Sequence, residues 1–226
     1  FFSVELPFLT FGGDGISSTC ALALAAPPKA MAIIGAGYIG LELGIAFAKF
    51  GTKVTIVEAM DRILPTYDAD LTRPGAKRLK ALGVEVLLGA RAKGRTKKGM
   101  EAEIGGVARE IAAEKVLVTV GRRPATEGWG AENLPLDMNG RAIRIDDQCR
   151  TSMRGVYAIG DVTGEPMLAH RGMAQGEMVA EIVAGRSRRW DKRAIPAICF
   201  TDPEIVSAGL SPEEARAAGH VIKTAL

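Results

Sequence analysis

Apolar positions along the chain fall into short unbroken runs, and between them lie stretches with helical spacing. Residues 30–34 (AMAII) form the first such run, the pattern of a strand buried on both faces. Ile39, Leu43, Ala46, Phe47 and Phe50 then recur at helical spacing, and Gly51 is placed to stop that helix. Residues 53–58 (KVTIVE) predict a second strand, 71–82 an amphipathic helix stopped by Gly83, and 84–88 a third strand. Strand and helix in alternation imply a parallel sheet with right-handed crossovers.

From 92 to 113 the pattern shortens, with turns expected at Gly94, Gly99 and Gly105-Gly106, as in an antiparallel meander. Residues 115–120 read as a buried strand that returns to the sheet. Pro135 and Asn139-Gly140 give 134–145 a hairpin signal, 156–159 reads as another buried strand, and 174–184 as a helix. A polar linker over 185–193 precedes a new strand pattern at 196–209. The Pro27-Pro28 pair separates a short leading segment from the first strand. The chain enters mid-pattern over 4–11 and stops on an apolar run at 220–226 that reads as an unfinished strand. Both termini are therefore expected to be cuts in a longer chain.

Composition narrows the classes. The 226 residues are 47% hydrophobic and 24% charged, as in a globular protein with a substantial core. A net charge of +3 is too small to imply a nucleic-acid or acidic-membrane partner. The densest basic run, 91–98, is broken by Gly94 and reads as a solvated turn. No apolar run approaches the roughly 18–20 residues that span a bilayer, and the first residues lack the features of a signal peptide. Cys20, Cys149 and Cys199 are widely spaced, with no CxxC and no metal-ligand cluster, which suits a reducing, cytoplasmic setting.

The chemistry starts at Gly35-Ala36-Gly37-Tyr38-Ile39-Gly40, a GxGxxG directly after a strand and opening a helix. Alone the motif is weak evidence; this context makes it a dinucleotide-binding loop. Gly35 permits the tight turn, Gly37 lets a pyrophosphate approach the backbone, and Gly40 lets helix and strand pack closely. The helix start offers unpaired N–H groups and a favourable dipole to the phosphates. Glu58 ends the second strand 18 residues after Gly40, where an acid hydrogen-bonds the adenosine ribose of NAD. A 2′-phosphate there would be repelled by up to about 4 kcal/mol per charge pair at about 4 Å and a dielectric near 20. NAD is thus favoured over NADP, with nearby Arg62 able to soften the preference. Gly160-Asp161 puts a further acid after a buried run; taken alone it is equally a solvated turn.

Several separated segments together carry a family resemblance. GAGYIGLE (35–42), VTIVE (54–58), VLVTVGRRP (116–124), YAIGD (157–161), MLAHR (167–171) and FTDPEIVSAG (200–209) occur in order. In these the chain resembles the flavoprotein disulfide reductases, and within them the branch that oxidises dihydrolipoamide. The resemblance implies an α/β fold: a Rossmann-like three-layer NAD-binding domain with an antiparallel meander, parts of an FAD domain, and the start of an α+β interface domain. The implied segments are 1–27 and 147–193 for the FAD domain, 28–146 for the NAD domain, and 194–226 for the interface domain.

By the same resemblance, Asp161 would bind the FAD ribityl chain. The backbone of Met167, Leu168, Ala169 and His170 would face the flavin at a helix start. Gly121 and Ala92 would line the NAD groove. Glu42 would lie near nicotinamide and flavin, paired with a lysine beside the redox disulfide that this sequence does not contain; the alternative is a surface helix glutamate. Tyr38 either covers the flavin until nicotinamide displaces it or is simply packed. His170 is expected to act through its backbone. The three cysteines do not form the family's CxxxxC pair, Cys20 stands where relatives often carry glutamate, and Gln175 replaces a commoner acid. The first GxGxxG, the CxxxxC and the C-terminal His-Glu base are absent, so the chain alone is expected not to turn over. The implied activity passes electrons from dihydrolipoamide, carried on the lipoyl domain of an acyltransferase component, to NAD through FAD in a homodimer. A mercuric or glutathione-type reductase and an inactive NAD-binding fragment are the alternatives.

Overall fold

A buried apolar run becomes a strand only where neighbours complete its backbone hydrogen bonds, and most of the expected runs find them. The computed structural model describes residues 1–191 and 194–225. The expected boundary after residue 193 and the last residue of the C-terminal run fall on Arg193 and Leu226, which with Lys192 lie outside the described residues. The chain packs as two units, one of Val4–Val120 with residues 196–225, the other of Phe1–Ser3 with Gly121–Ile195. Residues 121–146 fall in the smaller unit and residues 4–27 in the larger.

Strand β1 (Phe2–Ser3) belongs to the smaller unit. In the larger unit, β2 (Gly15–Ile16) leads into the short helix α1 (Ser18–Leu22), capped by the Ser17 hydroxyl. Then come β3 (Ala30–Ile34), α2 (Tyr38–Lys49), β4 (Lys53–Val57), α3 (Ala69–Ala81) and β5 (Glu85–Leu87). The meander comes next as β6 (Ala90–Thr96), β7 (Gly99–Ile104) and β8 (Val107–Ala112), and β9 (Lys115–Val118) returns to the sheet. The result is a five-stranded sheet in the order β2-β9-β3-β4-β5, parallel throughout. This is the α/β, Rossmann-like fold with a meander that the sequence pattern predicts.

Both sheet faces are covered, which is why its strands read as unbroken apolar runs. Side chains alternate between two cores. Met31, Ile33, Val54, Ile56 and Leu117 pack under the helices with Leu41, Ile45 and Leu79. Ala32, Ile34, Val57, Val116 and Val118 pack against Ala90, Met100, Ala102 and Ile111 of the meander.

Local punctuation mostly acts as expected. Gly51 and Gly83 take positive φ just past α2 and α3. Asp68 caps α3 by accepting the Asp70 amide, so that helix starts earlier than the apolar spacing alone predicts. Gly105-Gly106, both at positive φ, turn β7 into β8. Gly94 is a correction: it makes no turn but sits inside β6, where the register with β7 shifts between Ala92 and Gly94.

In the smaller unit β10 (Arg122–Arg123) pairs antiparallel with β1, and the Arg122 and Arg123 guanidinium groups lie over the rings of Phe1 and Phe2 at 4.6 and 4.8 Å. The expected hairpin forms between β11 (Met138–Asn139) and β12 (Ala142–Ile143). A 3₁₀ turn, Gly160–Thr163, precedes α4 (Ala169–Val183). Two expectations are corrected here. Residues 156–159 are not a strand: Tyr157 makes one isolated bridge to Arg150, and Ile159 is 39% exposed. The run is extended but has no ladder to join among the described residues. Helix α4 starts five residues before the expected 174, because its first turn, Ala169-His170-Arg171-Gly172, has no apolar periodicity to signal it.

The larger unit closes with the hairpin β13 (Ala197–Cys199) and β14 (Ile205–Ser207), then α5 (Pro212–Ala217), whose Ser211 and Glu214 form a capping box. Asp202 joins the hairpin to the Rossmann helices, meeting Lys49 and Arg78 at 2.8 Å each. Hydrogen bonds from Lys49 and then Arg78 hold its carboxyl below the usual range. Residues 220–225 form no strand, against expectation, having no partner ladder among the described residues.

Candidate functional site

The strongest site is built where β3 ends. Gly35 takes φ +103°, and its amide donates to the Val57 carbonyl at 2.9 Å, so the turn is hydrogen-bonded to the end of β4. A Cβ on Gly35 would stand 2.7 Å from the Thr119 carbonyl oxygen. Gly40 is tighter: its Cβ would lie 2.0 Å from the Gly35 carbonyl oxygen and 2.8 Å from Thr119 Oγ1. These two glycines let helix and strand touch. Gly37 differs, since a Cβ there meets nothing within 4 Å. It is the residue before α2, and that helix start has no side-chain cap. Space beside the backbone and uncapped N–H groups at a twelve-residue helix are what a pyrophosphate needs.

Glu58 is the anchor of this loop. It is only 8% exposed, and its two oxygens accept the amides of Ala36 at 2.7 Å and Met60 at 2.8 Å. The sequence places an acid here but does not reveal that it also holds the glycine loop shut. A carboxylate has about four lone-pair positions, so two amides leave capacity for ribose hydroxyls. The loop after Glu58 folds back: Leu64, at φ +44°, donates its amide to the Ala36 carbonyl at 3.0 Å. Both backbone groups of Ala36 are thus occupied.

Tyr38 and Glu42 stand on the first turns of α2. Tyr38 is half-buried, with its ring edge-on to Tyr67. Glu42, also half-buried, accepts the Phe200 amide at 2.9 Å, so it binds the hairpin segment and is not a free surface acid. Cys199 is buried beside them, its thiol 3.9 Å from the Tyr38 carbonyl. Burial, then the Glu42 charge, push that thiol up to about 12, so it stays protonated and a poor nucleophile near neutrality. Ala92 is half-buried at the bulge of β6 and packs against the meander core. Thr119, passed over as one letter of a motif, supports the loop from beneath, its hydroxyl 2.9 Å from the Ile34 carbonyl oxygen.

The other predicted residues belong to the smaller unit. Gly121, at φ +139°, begins its longer segment. Asp161 is half-buried in the 3₁₀ turn. Met167 is buried, its amide donating to Glu165 and its carbonyl accepting from Arg122 at 3.0 Å, while Leu168 is the uncapped residue before α4. Ala169 and His170 are exposed on the first turn. The residue that organises this region was missed. Arg171 is 5% exposed and donates to the carbonyls of Gly164, Pro166 and Gly160 at 2.5, 2.6 and 3.1 Å, and to the Thr163 hydroxyl. Gln175 accepts from both Arg171 and the Gly160 amide. The turn carrying Asp161 is therefore held from behind by one guanidinium. Burial lowers the Arg171 pKa, and Asp161 and then Glu165 oppose the shift. Only a side chain with five N–H donors can make this set of bonds, a signal visible once the arginine in MLAHR is known to be buried.

Among the described residues no group of His, Cys, Asp and Glu could hold a metal ion, and no helix is long and apolar enough to cross a membrane. A family model described as pyridine nucleotide-disulphide oxidoreductase matches residues 5–176. The chain belongs to this family. It is 61% identical, over 96% of its length, to a dihydrolipoyl dehydrogenase of Pseudomonas aeruginosa, of which it covers 47%. It is 43% identical to a dihydrolipoyl dehydrogenase of Geobacillus stearothermophilus, again over 96% of this chain and 47% of the relative. The chain thus spans about half the length of the curated relatives it matches. Among solved structures, the flavoprotein disulfide reductase RclA of Escherichia coli aligns with a TM-score of 0.85 and 29% identity, over 96% of this chain and 51% of that one. LpdA of Mycobacterium tuberculosis aligns with a TM-score of 0.83 and 28% identity, over 96% and 48%.

Proposed function

We propose that this chain carries the NAD-binding part of a flavoenzyme that oxidises dihydrolipoamide to lipoamide and reduces NAD to NADH, by way of a redox disulfide and FAD. The observation that carries the NAD assignment is the buried Glu58 carboxylate on the Ala36 amide, beside a Gly37 whose Cβ position is open. The substrate assignment rests on the similarity to dihydrolipoyl dehydrogenases. Nicotinamide and flavin, when bound, supply the hydride and electron chemistry.

In this reading the residues bind and orient. Gly35 to Gly40 receive the pyrophosphate at the start of α2, Glu58 takes the adenosine ribose hydroxyls, and Ala92 and Gly121 line the groove. Glu42 lies near nicotinamide and flavin and is the catalytic candidate, with a lysine beside the disulfide as its partner. Asp161 takes the FAD ribityl chain, and the backbone of Met167, Leu168, Ala169 and His170 faces the flavin. Residues 28–146 are the NAD domain, 1–27 and 147–193 the FAD-domain segments, and 194–226 the start of the interface domain. The enzyme is a cytoplasmic homodimer that receives dihydrolipoamide from the lipoyl domain of an acyltransferase component.

The test is a visible spectrum and an assay of the full-length protein. We expect a bound-flavin spectrum that dihydrolipoamide alters, and NADH formation that depends on dihydrolipoamide, with NADP at least about tenfold poorer on the charge argument. Turnover of glutathione disulfide or mercuric ion with NADPH in preference would replace this reading with another branch of the family.

A further inference from the structure

Tyr38 and Tyr67 make a contact that neither the glycine motif nor the resemblance accounts for. The Tyr67 hydroxyl donates to the Tyr38 hydroxyl at 3.0 Å, and the rings meet edge-on with centroids 5.7 Å apart. The two side chains are held very differently. Tyr67 is 5% exposed, its amide bonds the Leu64 carbonyl at 2.8 Å, and the next residue, Asp68, caps α3. Leu64 is itself buried and bonded to Ala36 inside the glycine loop. Tyr67 is therefore a fixed post. Tyr38 is half-buried at the first position of α2 and packs against the helix-side core, and its hydroxyl is held by the Tyr67 hydroxyl.

We propose that Tyr67 is a positioning residue for the dinucleotide site, a latch whose hydroxyl holds Tyr38 in one rotamer beside the glycine loop. This rests on the reading of residues 35–40 as the NAD site and of Tyr38 as a ring that nicotinamide displaces. Displacing the ring breaks the hydroxyl–hydroxyl bond, so the latch opposes cofactor entry. Burial, and then the hydrogen bond to Tyr38, push the Tyr67 phenol above its ordinary range, which keeps it a donor throughout the physiological range.

The experiment compares the equilibrium Kd for NADH of the full-length protein with that of Tyr67→Phe, Tyr38→Phe and the double variant. Phenylalanine keeps the ring and removes the hydroxyl. We expect each single variant to bind NADH about two- to tenfold more tightly, the worth of one lost intramolecular hydrogen bond, and the double variant to gain no more than either. A merely structural Tyr67 would loosen the loop and weaken NADH binding, so weaker or unchanged affinity in Tyr67→Phe overturns the latch. Additive gains in the double variant overturn it too, since the hydroxyls would then act separately. If Tyr38→Phe tightens binding while Tyr67→Phe does not, the displaced-ring reading stands and the latch alone fails. Unchanged affinity in Tyr38→Ala removes that reading as well, and wild-type protein that binds no NADH removes the NAD site beneath both.

Discussion

Glu58→Ala costs about 2–5 kcal/mol of folding stability, because it leaves two amides without an acceptor at a nearly buried position. Each stranded N–H group is worth about 1–3 kcal/mol, and the two share one side chain, so the sum is an upper bound. Denaturant unfolding at fixed slope checks this, and an alanine variant as stable as the parent would mean that water or a rearranged loop satisfies both groups. Cofactor choice is better tested with Glu58→Gln. Glutamine retains one acceptor oxygen for the loop but removes the charge that repels a 2′-phosphate. The expected result is a smaller loss of stability and an NADP-to-NAD preference that rises about tenfold or more, within the limit of about 4 kcal/mol for one close charge pair. Unchanged selectivity, measured as the ratio of the two Kd values, would detach Glu58 from the adenosine ribose.

Gly40→Ala is the second large effect. The added methyl would stand 2.0 Å from a backbone oxygen of the turn, so α2 must lift from the sheet rather than a side chain swing aside. Overpacking of a tight core costs about 1–3 kcal/mol and sometimes more, and here the displaced backbone is the dinucleotide loop itself. Stability and NAD binding should fall together. Gly44→Ala, on the same helix, is the internal comparison: its methyl would meet side-chain methyls of Ile33 and Ile56 at 3.2 Å and of Val54 at 3.8 Å, which can yield. Equal unfolding midpoints for the two variants would contradict the close-packing role of Gly40.

How much of this was legible in the sequence depends on whether the signal is local. The runs at β3, β4 and β9 are covered on both faces, so their apolar continuity was readable, and the glycines that stop α2 and α3 marked their own positions. Residues 156–159 carry the same apolar signal but have no neighbouring ladder among the described residues, and composition cannot report which runs find a partner. Gly94 misled because a glycine serves a bulge as well as a turn. At the site, the glycine motif and Glu58 were readable by type and spacing. The brace behind them was not: Leu64, Tyr67 and Thr119 act through backbone and hydroxyl contacts made across the fold. Arg171 was hidden for a related reason, since an arginine on the first turn of a helix reads as solvated until its carbonyl partners are brought round it.

The most direct test of the dinucleotide site is NAD titration against Gly37→Ala. Gly37 has an ordinary φ of −82°, and an added Cβ meets no protein atom within 4 Å, so the fold should tolerate alanine with its unfolding midpoint unchanged. If that open space receives the pyrophosphate, the methyl occupies it, and NAD affinity should fall by about tenfold or more, the worth of one well-placed contact. Undiminished NAD affinity in a fully folded Gly37→Ala protein would show that the cofactor does not approach this backbone, and the assignment of residues 35–40 would be wrong.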